Sequence, residues 1–432
     1  MSKEAALSLG TLNRVTESPA LRIPPPSFLA DPPLRAVLAA LPDARLVGGC
    51  VRDTLAGLEV ADIDLATPWR PEEVLRALQR EGIRAIPTGL DHGTVTAAAG
   101  GRGFEITTLR RDLETDGRRA RVGFTDDWRE DAARRDFTIN AMSLAPDGAV
   151  YDYFGGILDL RAGRVRFVGN PASRIAEDYL RILRFFRFFA RYNRGQPDSE
   201  AIAAIRAGIP GISVLSAERV WSELKRILAA ADPRGALTLM DELGVLEVIM
   251  PGGADPAALA RLIEAGAPAD PLLRLAALRT GDPGVLADRL KLSGAERDQL
   301  LAWVDGPPPD PSWDDAALRR ALANTPKETL LARTWLQGDG SAAWSELRNR
   351  LIQVPAPVFP LGGKDVVALG VPPGPRVGEL IRQVREWWMQ GGCSADASAC
   401  REELRRRVDC LHRCAAGGVA PRLPNSARSA QL

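Results

Sequence analysis

Two aspartates separated by a single residue, Asp62 and Asp64, have the residue type and spacing to bind a metal ion. On a β-strand, residues two apart point to the same face, with Cα atoms roughly 6.5 Å apart. Ile63 and Leu65 would then face the core while both carboxylates face out together. Mg²⁺ is typically bound by one or two carboxylates together with substrate phosphates. The same pattern is also common on solvated strand edges, so the pair alone does not define a site.

A glycine turn lies shortly before the two aspartates. The segment 46–53, with the sequence LVGGCVRD, predicts a strand that runs through Gly48 and Gly49 into a short helix. Glycines at such a turn let backbone N–H groups approach a phosphate, and a helix N-terminus favours negative charge. Arg52, one turn into the helix, adds a fork of donors suited to a triphosphate. A glycine pair before a helix is often only a tight connection, but next to metal-binding carboxylates it supplies the other component of phosphoryl-transfer sites.

These two segments together resemble a known signature. The sequence GGCVRD at 48–53, followed by DIDLAT at 62–67, is similar to the signature of the tRNA nucleotidyltransferase and bacterial poly(A) polymerase family, which belongs to the DNA polymerase beta-like nucleotidyltransferases. The resemblance implies that the aspartates bind Mg²⁺ and that the glycine turn and its arginine bind the triphosphate of an incoming nucleotide. A third carboxylate near the metals would fit Glu105 in the β-like run 104–109, whose alternative is an exposed strand residue. The implied catalytic residues are Asp62, Asp64 and Glu105, and the implied triphosphate-binding residues are Gly48, Gly49 and Arg52.

A second cluster of polar residues occupies the segment 134–142, with the sequence RRDFTINAM. An Arg-Arg-Asp run by itself is usually a surface ion pair. The whole string resembles the sugar-binding motif of the same family, which implies that Arg135 and Asp136 contact the ribose and phosphates while Asn140 holds the turn. A ribose 2′-hydroxyl needs a hydrogen-bonding partner to be distinguished from deoxyribose, and Asp136 is a suitable acceptor.

A helix predicted to begin near Arg174 carries the third cluster, EDYLRILR at 177–184. Because successive helical residues turn by about 100°, Glu177, Arg181 and Arg184 fall within about 60° of one another, and Asp178 lies next to Arg181. The predicted buried side consists of Ile182, Phe185, Phe186 and Phe189. Taken alone, this is an ordinary amphipathic helix with ion pairs between residues four apart.

In the resembled family, the pattern Glu-Asp-x-x-Arg reads the incoming base. An aspartate that accepts and an arginine that donates imitate a Watson–Crick edge, which would select C or A without a nucleic-acid template. The resemblance places Asp178 and Arg181 in these roles, with Glu177 beside them.

Local charge supports this assignment, although the whole chain has a formal net charge of only +1. Between residues 161 and 194 there are nine arginines and two acids, which gives +7 by subtraction. Such a concentration of positive charge suits an RNA end and a triphosphate held side by side. Arg184 and Arg187 are predicted to contact nucleotide or RNA phosphates.

The distribution of β-like and helical segments along the sequence predicts an α+β fold. Short β-like runs separated by turns, up to about residue 160, read as one mixed-sheet head, and a string of helices follows. A run over 361–378 resembles the family's tail, which implies contact with the tRNA elbow. The predicted segments are an N-terminal arm, partly flexible (1–40), the catalytic head (41–160), a helical neck with the base-reading helix (161–235), a helical body (236–355), a helical tail (356–414) and a flexible C-terminus (415–432).

The resemblance implies a CCA tRNA nucleotidyltransferase that adds CMP, CMP and AMP from CTP and ATP to a tRNA 3′ end, with Mg²⁺ as cofactor and release of pyrophosphate. Poly(A) synthesis and partial addition of only C or only A are the alternatives within the family, and a catalytically silent RNA-binding protein is the alternative outside it. The charged segment 110–131 is long enough to serve as the flexible loop that enzymes limited to CC addition tend to lack. No apolar run near 18 residues and no secretory signal are present, so we expect a cytoplasmic protein with tRNA, ATP and CTP as partners, no membrane contact and no obligate protein partner.

Overall fold

A computed structural model describes residues 17–114 and 121–417 of the chain. By its internal contacts the chain divides into two compact units. Unit 1 comprises the described residues up to Pro256, together with Ala269–Pro271 and Arg279–Leu292. Unit 2 comprises Ala257–Pro268, Leu272–Leu278 and the described residues from Ser293 onward. The predicted boundaries at 160, 235 and 355 fall inside these units, and they stay predictions.

The secondary structure follows the predicted order of a sheet-containing part and then a helical part. The strands are β1 (Leu21–Arg22), β2 (Arg45–Val47), β3 (Asp64–Thr67), β4 (Arg84–Gly89), β5 (Thr94–Ala99), β6 (Arg102–Thr108), β7 (Arg110–Glu114), β8 (Arg121–Phe124), β9 (Met142–Leu144) and β10 (Ala149–Asp152). The helices up to residue 249 are α1 (Pro32–Ala40), α2 (Gly49–Leu55), α3 (Pro71–Arg80), α4 (Trp128–Ala133), α5 (Gly156–Ala162), α6 (Pro171–Glu177), α7 (Leu180–Tyr192), α8 (Ser199–Gly208), α9 (Ala217–Leu228), α10 (Arg234–Glu242) and α11 (Val245–Ile249). Those beyond it are α12 (Pro256–Glu264), α13 (Pro271–Leu278), α14 (Pro283–Leu290), α15 (Gly294–Val304), α16 (Asp315–Asn324), α17 (Lys327–Gln337), α18 (Ala342–Gln353), α19 (Gly363–Val367), α20 (Pro375–Gln390) and α21 (Ala397–Gly417).

One mixed sheet organises unit 1, as the sequence predicts. Within the described residues, eight strands form it in the order β1-β10-β9-β2-β3-β6-β5-β4. The pair β3–β6 is parallel and the other neighbours are antiparallel. The predicted hairpin with its Asp-Gly turn is confirmed as β9 and β10. Strands β7 and β8 form a separate two-stranded ribbon. They flank residues 115–120, the part of the predicted loop 110–131 that lies outside the described residues.

Part of the segment 1–40, which was predicted to be a partly flexible N-terminal arm, is folded against the sheet. Strand β1 pairs with β10 at the edge of the sheet, and the Ala20 N–H donates to the Val150 carbonyl oxygen (2.9 Å). Helix α1 buries Leu34 and Val37 completely. Leu29, which follows the proline-rich run at 24–26, is also buried. Residues 1–16 and 418–432, where flexible ends were predicted, lie outside the described residues.

The predicted single helix from Arg174 onward is instead two helices. Helix α6 ends at Glu177, Asp178 is extended (φ −158°, ψ 107°), and α7 begins at Leu180. The Asp178 carboxylate accepts from the Leu180 N–H (3.1 Å), a local bond that competes with helix continuation. The 100° argument that placed Glu177 and Arg181 on one face is therefore wrong, because it assumed a continuous helix.

Helix α7 buries an aromatic face. Phe185 and Phe186 are fully buried, whereas Phe189, predicted to be buried, is only half-buried, and Phe188 is buried instead. The Phe185 ring lies 6.0 Å from that of Phe167, stacked against it.

Unit 2 is helical, and its cores are built from helix faces. One cluster of buried residues contains Val366, Val384 and Trp388 from α19 and α20, with Leu404 from α21. A second contains Leu318, Leu330 and Leu347 from α16, α17 and α18. Across the described ranges of both units, no helix has the length and apolar character needed to cross a bilayer.

Candidate active site

The two aspartates lie at the start of β3 in the middle of the sheet. Asp64 is the first residue of β3 and Asp62 precedes the strand. The strand therefore begins two residues later than predicted. The expected alternation nevertheless holds, because Asp62 and Asp64 are exposed while Ile63 and Leu65 are buried. Both aspartates line the same cleft.

Negative charge accumulates around Asp64. In the parallel pairing of β3 and β6, Asp64 stands opposite Glu105. Asp64 is accessible from the cleft, but the surrounding protein desolvates its carboxylate and so raises its pKa. The charges of Glu105 and Asp62 raise this pKa further, and the charge of Arg135 opposes them. Acceptor oxygens that repel one another in this way suit a hard divalent cation. Glu105 is exposed and is not among the residues that line the cleft, so its effect on Asp64 is electrostatic.

No cluster of three or more His, Cys, Asp or Glu arranged for metal binding occurs in residues 17–114 and 121–417. Asp62 and Asp64 are a pair of carboxylates in the cleft, and a pair of this kind can bind a divalent cation when substrate phosphates complete its coordination.

The glycine turn joins β2 to α2 as predicted. Gly48 has φ 72° and ψ −128°, a conformation open essentially to glycine alone. A Cβ on Gly48 would lie 3.3 Å from Nη1 of Arg135, so the bare backbone also leaves room for that guanidinium. Gly49 is the first residue of α2, and both glycines line the cleft.

Arg52 lies on the cleft floor and is held there from several sides. Its Nε and Nη2 donate to the two carboxylate oxygens of Asp53 (3.1 Å each), and its Nη1 donates to Oδ1 of Asn140 (2.6 Å). The guanidinium also lies over the rings of Phe188 (5.1 Å) and Tyr192 (4.7 Å). Such contacts fix a donor fork in place before any anion arrives.

The segment predicted to bind the sugar folds as a compact turn around Asp136. This buried carboxylate accepts from the Phe137 N–H (2.9 Å), from Nδ2 of Asn140 (3.0 Å) and from Nε of Arg184 (2.7 Å). Burial raises the pKa of Asp136, but Arg184 and these hydrogen bonds lower it by more, so the pKa lies below its ordinary value. Arg135 is held by Oδ2 of Asp131 (3.2 Å), a buried acid that the sequence analysis missed.

The residues predicted to read the base lie where α6 ends and α7 begins. Oδ2 of Asp178 accepts from Nη2 of Arg219 on α9 (2.7 Å). Arg181 pairs with Glu177 and also donates to the Arg174 carbonyl oxygen (2.8 Å). Asp178 and Arg181 both line the cleft, whereas Glu177 lies behind it as a partner of Arg181.

A set of arginines extends the predicted site. Arg184 and Arg187 on α7 meet the buried carboxylate of Glu223 on α9 (3.7 and 3.2 Å), and Arg226 reaches it at 3.4 Å. Burial lowers the pKa of Arg187 to about 10, which leaves the side chain charged at neutral pH. The sequence analysis did not assign Glu223 to the site. The one feature of the sequence that could have indicated its role is an acidic residue close to basic residues on a predicted amphipathic helix.

Most of the predicted site residues line one cleft of about 1180 Å³. This volume exceeds the roughly 300–1,000 Å³ usual for a single small ligand. Of the predicted site residues, only Glu105 and Glu177 lie outside the lining. The lining residues that the sequence analysis did not assign to the site are Leu58, Arg134, Leu180, Phe188, Arg191, Tyr192, Arg219, Arg226, Ala229, Ala230 and Ala231.

Comparisons with known proteins agree with this arrangement. Residues 44–166 match the family model of the poly(A) polymerase head domain, and residues 196–255 match that of the probable RNA- and SrmB-binding site of polymerase A. The chain is 37% identical over 368 residues to the mitochondrial CCA tRNA nucleotidyltransferase 1 of Mus musculus, covering 81% of this chain and 83% of the relative. It is 32% identical over 381 residues to the CCA-adding enzyme of Lacticaseibacillus paracasei, covering 84% and 92%.

A solved structure shares the fold. The CCA-adding enzyme of Bacillus stearothermophilus in complex with CTP superposes with a TM-score of 0.68 at 26% identity, covering 88% of this chain and 99% of that one. The mixed-sheet head with its aspartate pair and glycine turn defines a nucleotidyltransferase. More narrowly, the chain belongs to the family of CCA tRNA nucleotidyltransferases and poly(A) polymerases.

Proposed function

We propose that this protein adds CMP, CMP and AMP from CTP and ATP to the 3′ end of tRNA without a nucleic-acid template, with Mg²⁺ as its cofactor. The observation that carries the proposal is the convergence of the paired carboxylates, the glycine turn, the buried Asp136 and the base-reading pair in one cleft. Two relatives, one named CCA tRNA nucleotidyltransferase 1 and the other CCA-adding enzyme, match this chain over more than 80% of its length and support the same substrate class.

Each group in the cleft has a separate task in this proposal. Asp62 and Asp64 would hold Mg²⁺, which lowers the pKa of an attacking hydroxyl and neutralises charge on the triphosphate and its leaving group. Arg52 and Arg135 bind the triphosphate against the open backbone of the glycine turn. Asp136, already an acceptor of three hydrogen bonds, lies where a ribose hydroxyl would be bound.

In this proposal the base is selected by Asp178, between α6 and α7, and by Arg181 in the first turn of α7. The Asp178 carboxylate accepts from the exocyclic amine of cytosine or adenine, and the Arg181 guanidinium donates to the neighbouring ring nitrogen. Uracil and guanine present a carbonyl acceptor in place of that amine, so they leave the carboxylate facing another acceptor. A mismatch of this kind leaves polar groups unpaired and is strongly rejected.

The decisive experiment supplies three tRNAs, ending before the first C, before the second C and before the terminal A, each with one labelled nucleotide at a time. We expect C on the first two and A on the third, with addition stopping there. Long A tails on any RNA end would instead identify a poly(A) polymerase, and incorporation of only C or only A would identify a partial enzyme. No incorporation with intact RNA binding would identify a silent RNA-binding protein.

Asp62→Ala is the matched negative control. It should reduce incorporation by at least about 10³-fold while leaving tRNA affinity near that of the wild type, because the carboxylate acts on the reacting phosphates and not on the RNA body. Extension by this variant at near wild-type rate would show that the metal assignment is wrong.

The compartment remains a prediction. The sequence analysis expects the cytoplasm, while the similar proteins of Mus musculus, Danio rerio and Homo sapiens are named as mitochondrial.

A further inference from the structure

The orientation of Arg52 depends chiefly on one carboxylate. Its Nε and Nη2 donate side by side to the two oxygens of Asp53 (3.1 Å each), and its Nη1 donates to Asn140 (2.6 Å). In the part of the chain that the structure describes, these bonds use three of the five N–H groups of the guanidinium, which leaves two by subtraction for an anion. Nη2 also lies at the glycine turn, because a Cβ on Gly49 would stand 3.4 Å from it. The plane of the Asp53 carboxylate therefore decides where the two remaining donors point.

A tyrosine on another helix holds that carboxylate. Tyr192 is the last residue of α7, 139 residues from Asp53 in sequence, and its hydroxyl donates to Oδ1 of Asp53. The same oxygen accepts from Nε of Arg52. The Tyr192 ring lies 4.7 Å from the Arg52 guanidinium, so one side chain contacts both members of the ion pair. Arg191, the neighbouring residue of α7, approaches Oδ2 of Asp53 less closely, at 3.9 Å.

The bond between tyrosine and aspartate is enclosed. Tyr192 is 6% exposed and Asp53 is 8% exposed. Burial raises the pKa of Tyr192 to about 12, with a further rise from Asp53 and an opposing effect of Arg52. The hydroxyl therefore keeps its proton at neutral pH and acts as a donor. A hydrogen bond to an ionised acceptor is among the stronger ones in proteins, so it restrains the carboxylate that in turn directs Arg52.

We propose that Tyr192 is a positioning residue for the triphosphate, because through Asp53 it fixes the direction of the two Arg52 N–H groups that bind it. This inference rests on the proposed function, since it assumes that Arg52 binds the triphosphate of CTP and ATP. The Tyr192 hydroxyl is itself occupied by Asp53 and acts only through it. Its loss should therefore weaken phosphate binding equally for both nucleotides.

The test compares the full-length wild type with Tyr192→Phe, which removes only the hydroxyl. The ring stays beside Arg52 and against Phe188, whose ring centroid is 6.1 Å away, so the variant should fold, and thermal unfolding checks this. KM and kcat are measured for CTP on a tRNA ending before the first C, and for ATP on one ending before the terminal A. We expect KM to rise about three- to tenfold for both nucleotides, the scale of one lost hydrogen bond, while kcat changes by less than about twofold.

Equilibrium binding locates the loss on the phosphates. The dissociation constants of inorganic pyrophosphate with Mg²⁺, and of cytidine, which carries no phosphate, are measured for the wild type and for Tyr192→Phe. The constant for pyrophosphate should rise by about the same factor as KM, and the constant for cytidine should not change. A general loosening of the cleft would instead weaken the binding of both ligands.

Tyr153→Phe is the matched control. The Tyr153 hydroxyl also donates to a carboxylate far away in sequence, that of Glu17 (2.6 Å), but Tyr153 does not line the cleft. This variant loses the same kind of hydrogen bond without any connection to Arg52. It should leave KM, kcat and both dissociation constants at their wild-type values.

Two sets of results separate this inference from the function on which it rests. If the wild type adds neither C nor A, the proposed function is wrong. If the wild type adds both, but Tyr192→Phe binds pyrophosphate as tightly as the wild type does, the inference is overturned. It is also overturned if Tyr192→Phe weakens pyrophosphate and cytidine by one common factor, because Tyr192 would then merely support the fold.

Discussion

Asp131 and Asp136 are buried acids whose charges are balanced inside the protein. Burial raises the pKa of Asp131, but Arg135 and Arg134 lower it by more, as Arg184 does for Asp136. Both carboxylates are therefore ionised in the folded state at a pH where they would begin to take up protons in the unfolded chain. Each of them orients an arginine that the proposed mechanism needs.

These depressed pKa values predict acid sensitivity. A group with a folded pKa below its unfolded value of about 3.9 contributes stability that is complete above that value and is lost as the pH falls through the folded pKa. We expect the free energy of unfolding, measured in urea at pH 7, 5, 4 and 3, to drop chiefly below about pH 4.

Asp131→Asn should make that drop shallower, because the substituted amide does not titrate. Asp409→Asn, at an exposed position on α21, is the control and should leave the profile unchanged. A profile for Asp131→Asn as steep as that of the wild type would contradict the assignment.

Gly48 supplies a second prediction for a single residue. In Gly48→Ala, the alanine would have to adopt a backbone conformation that residues with a side chain avoid. Its Cβ would also lie 3.3 Å from Nη1 of Arg135. We expect the variant to lose at least about 1–2 kcal/mol of stability, and kcat/KM for CTP to fall as well, because Arg135 is displaced from the triphosphate.

Gly57→Ala separates the two effects. Gly57 also has positive φ (68°), but a Cβ there meets nothing within 4 Å. This variant should show a stability loss alone. Equal losses of kcat/KM in both variants would show that the space beside Gly48 has no part in catalysis.

At the scale of secondary structure elements, α7 joins the core to the cleft. Its buried face carries Phe185 and Phe186, and its other face presents Arg184, Arg187 and Arg191 to the cleft. The packing of the aromatic face thus fixes the rotation of the helix and the direction in which its arginines point.

Phe185→Ala should therefore destabilise the protein by about 3–5 kcal/mol, the usual cost of removing a fully buried aromatic ring. Urea unfolding measures the change. Phe189→Ala is the control from the same helix, because Phe189 is only half-buried, and its loss should be clearly smaller. Equal losses would mean that the core does not depend on the Phe185 ring.

The sequence predicts the elements better than it predicts their joints. The mixed sheet, the β9–β10 hairpin and the glycine turn follow from alternation and glycine placement, which act over a few residues. The break between α6 and α7 at Asp178 does not follow from these local signals. The periodicity of apolar residues continues past Asp178, whereas the helix is interrupted there by the hydrogen bond from the Leu180 N–H to the Asp178 carboxylate. Contacts such as Asp178–Arg219, made between elements far apart in sequence, carry no local signal at all.

At the scale of the whole molecule, charge is distributed unevenly. The chain is nearly neutral, yet the cleft lining contains nine arginines and four aspartates, an excess of five positive charges by subtraction. Arg191 and Arg226, with side chains 53% and 58% exposed, are the most accessible arginines of the cleft lining. They are positioned to meet phosphates of an RNA end.

This distribution predicts salt-sensitive tRNA binding. Each arginine that neutralises a phosphate contributes about one unit to the slope of log affinity against log salt concentration. The double variant of Arg191→Ala and Arg226→Ala should lower the slope by about 2 in filter-binding titrations between 50 and 200 mM salt. Arg234→Ala, outside the cleft lining, should leave the slope unchanged, and an unchanged slope in the double variant would place the RNA contacts elsewhere.

The cations of the cleft have a practical consequence for handling the protein. Every basic residue that lines it is an arginine, while the lysines of the described ranges, Lys225, Lys291, Lys327 and Lys364, lie outside the lining. Reagents that acylate amines attack lysine and spare the guanidinium group. A dye or surface linker attached through lysine should thus leave the cleft chemically untouched, and immobilised protein should keep its nucleotide contacts without any redesign of the chain.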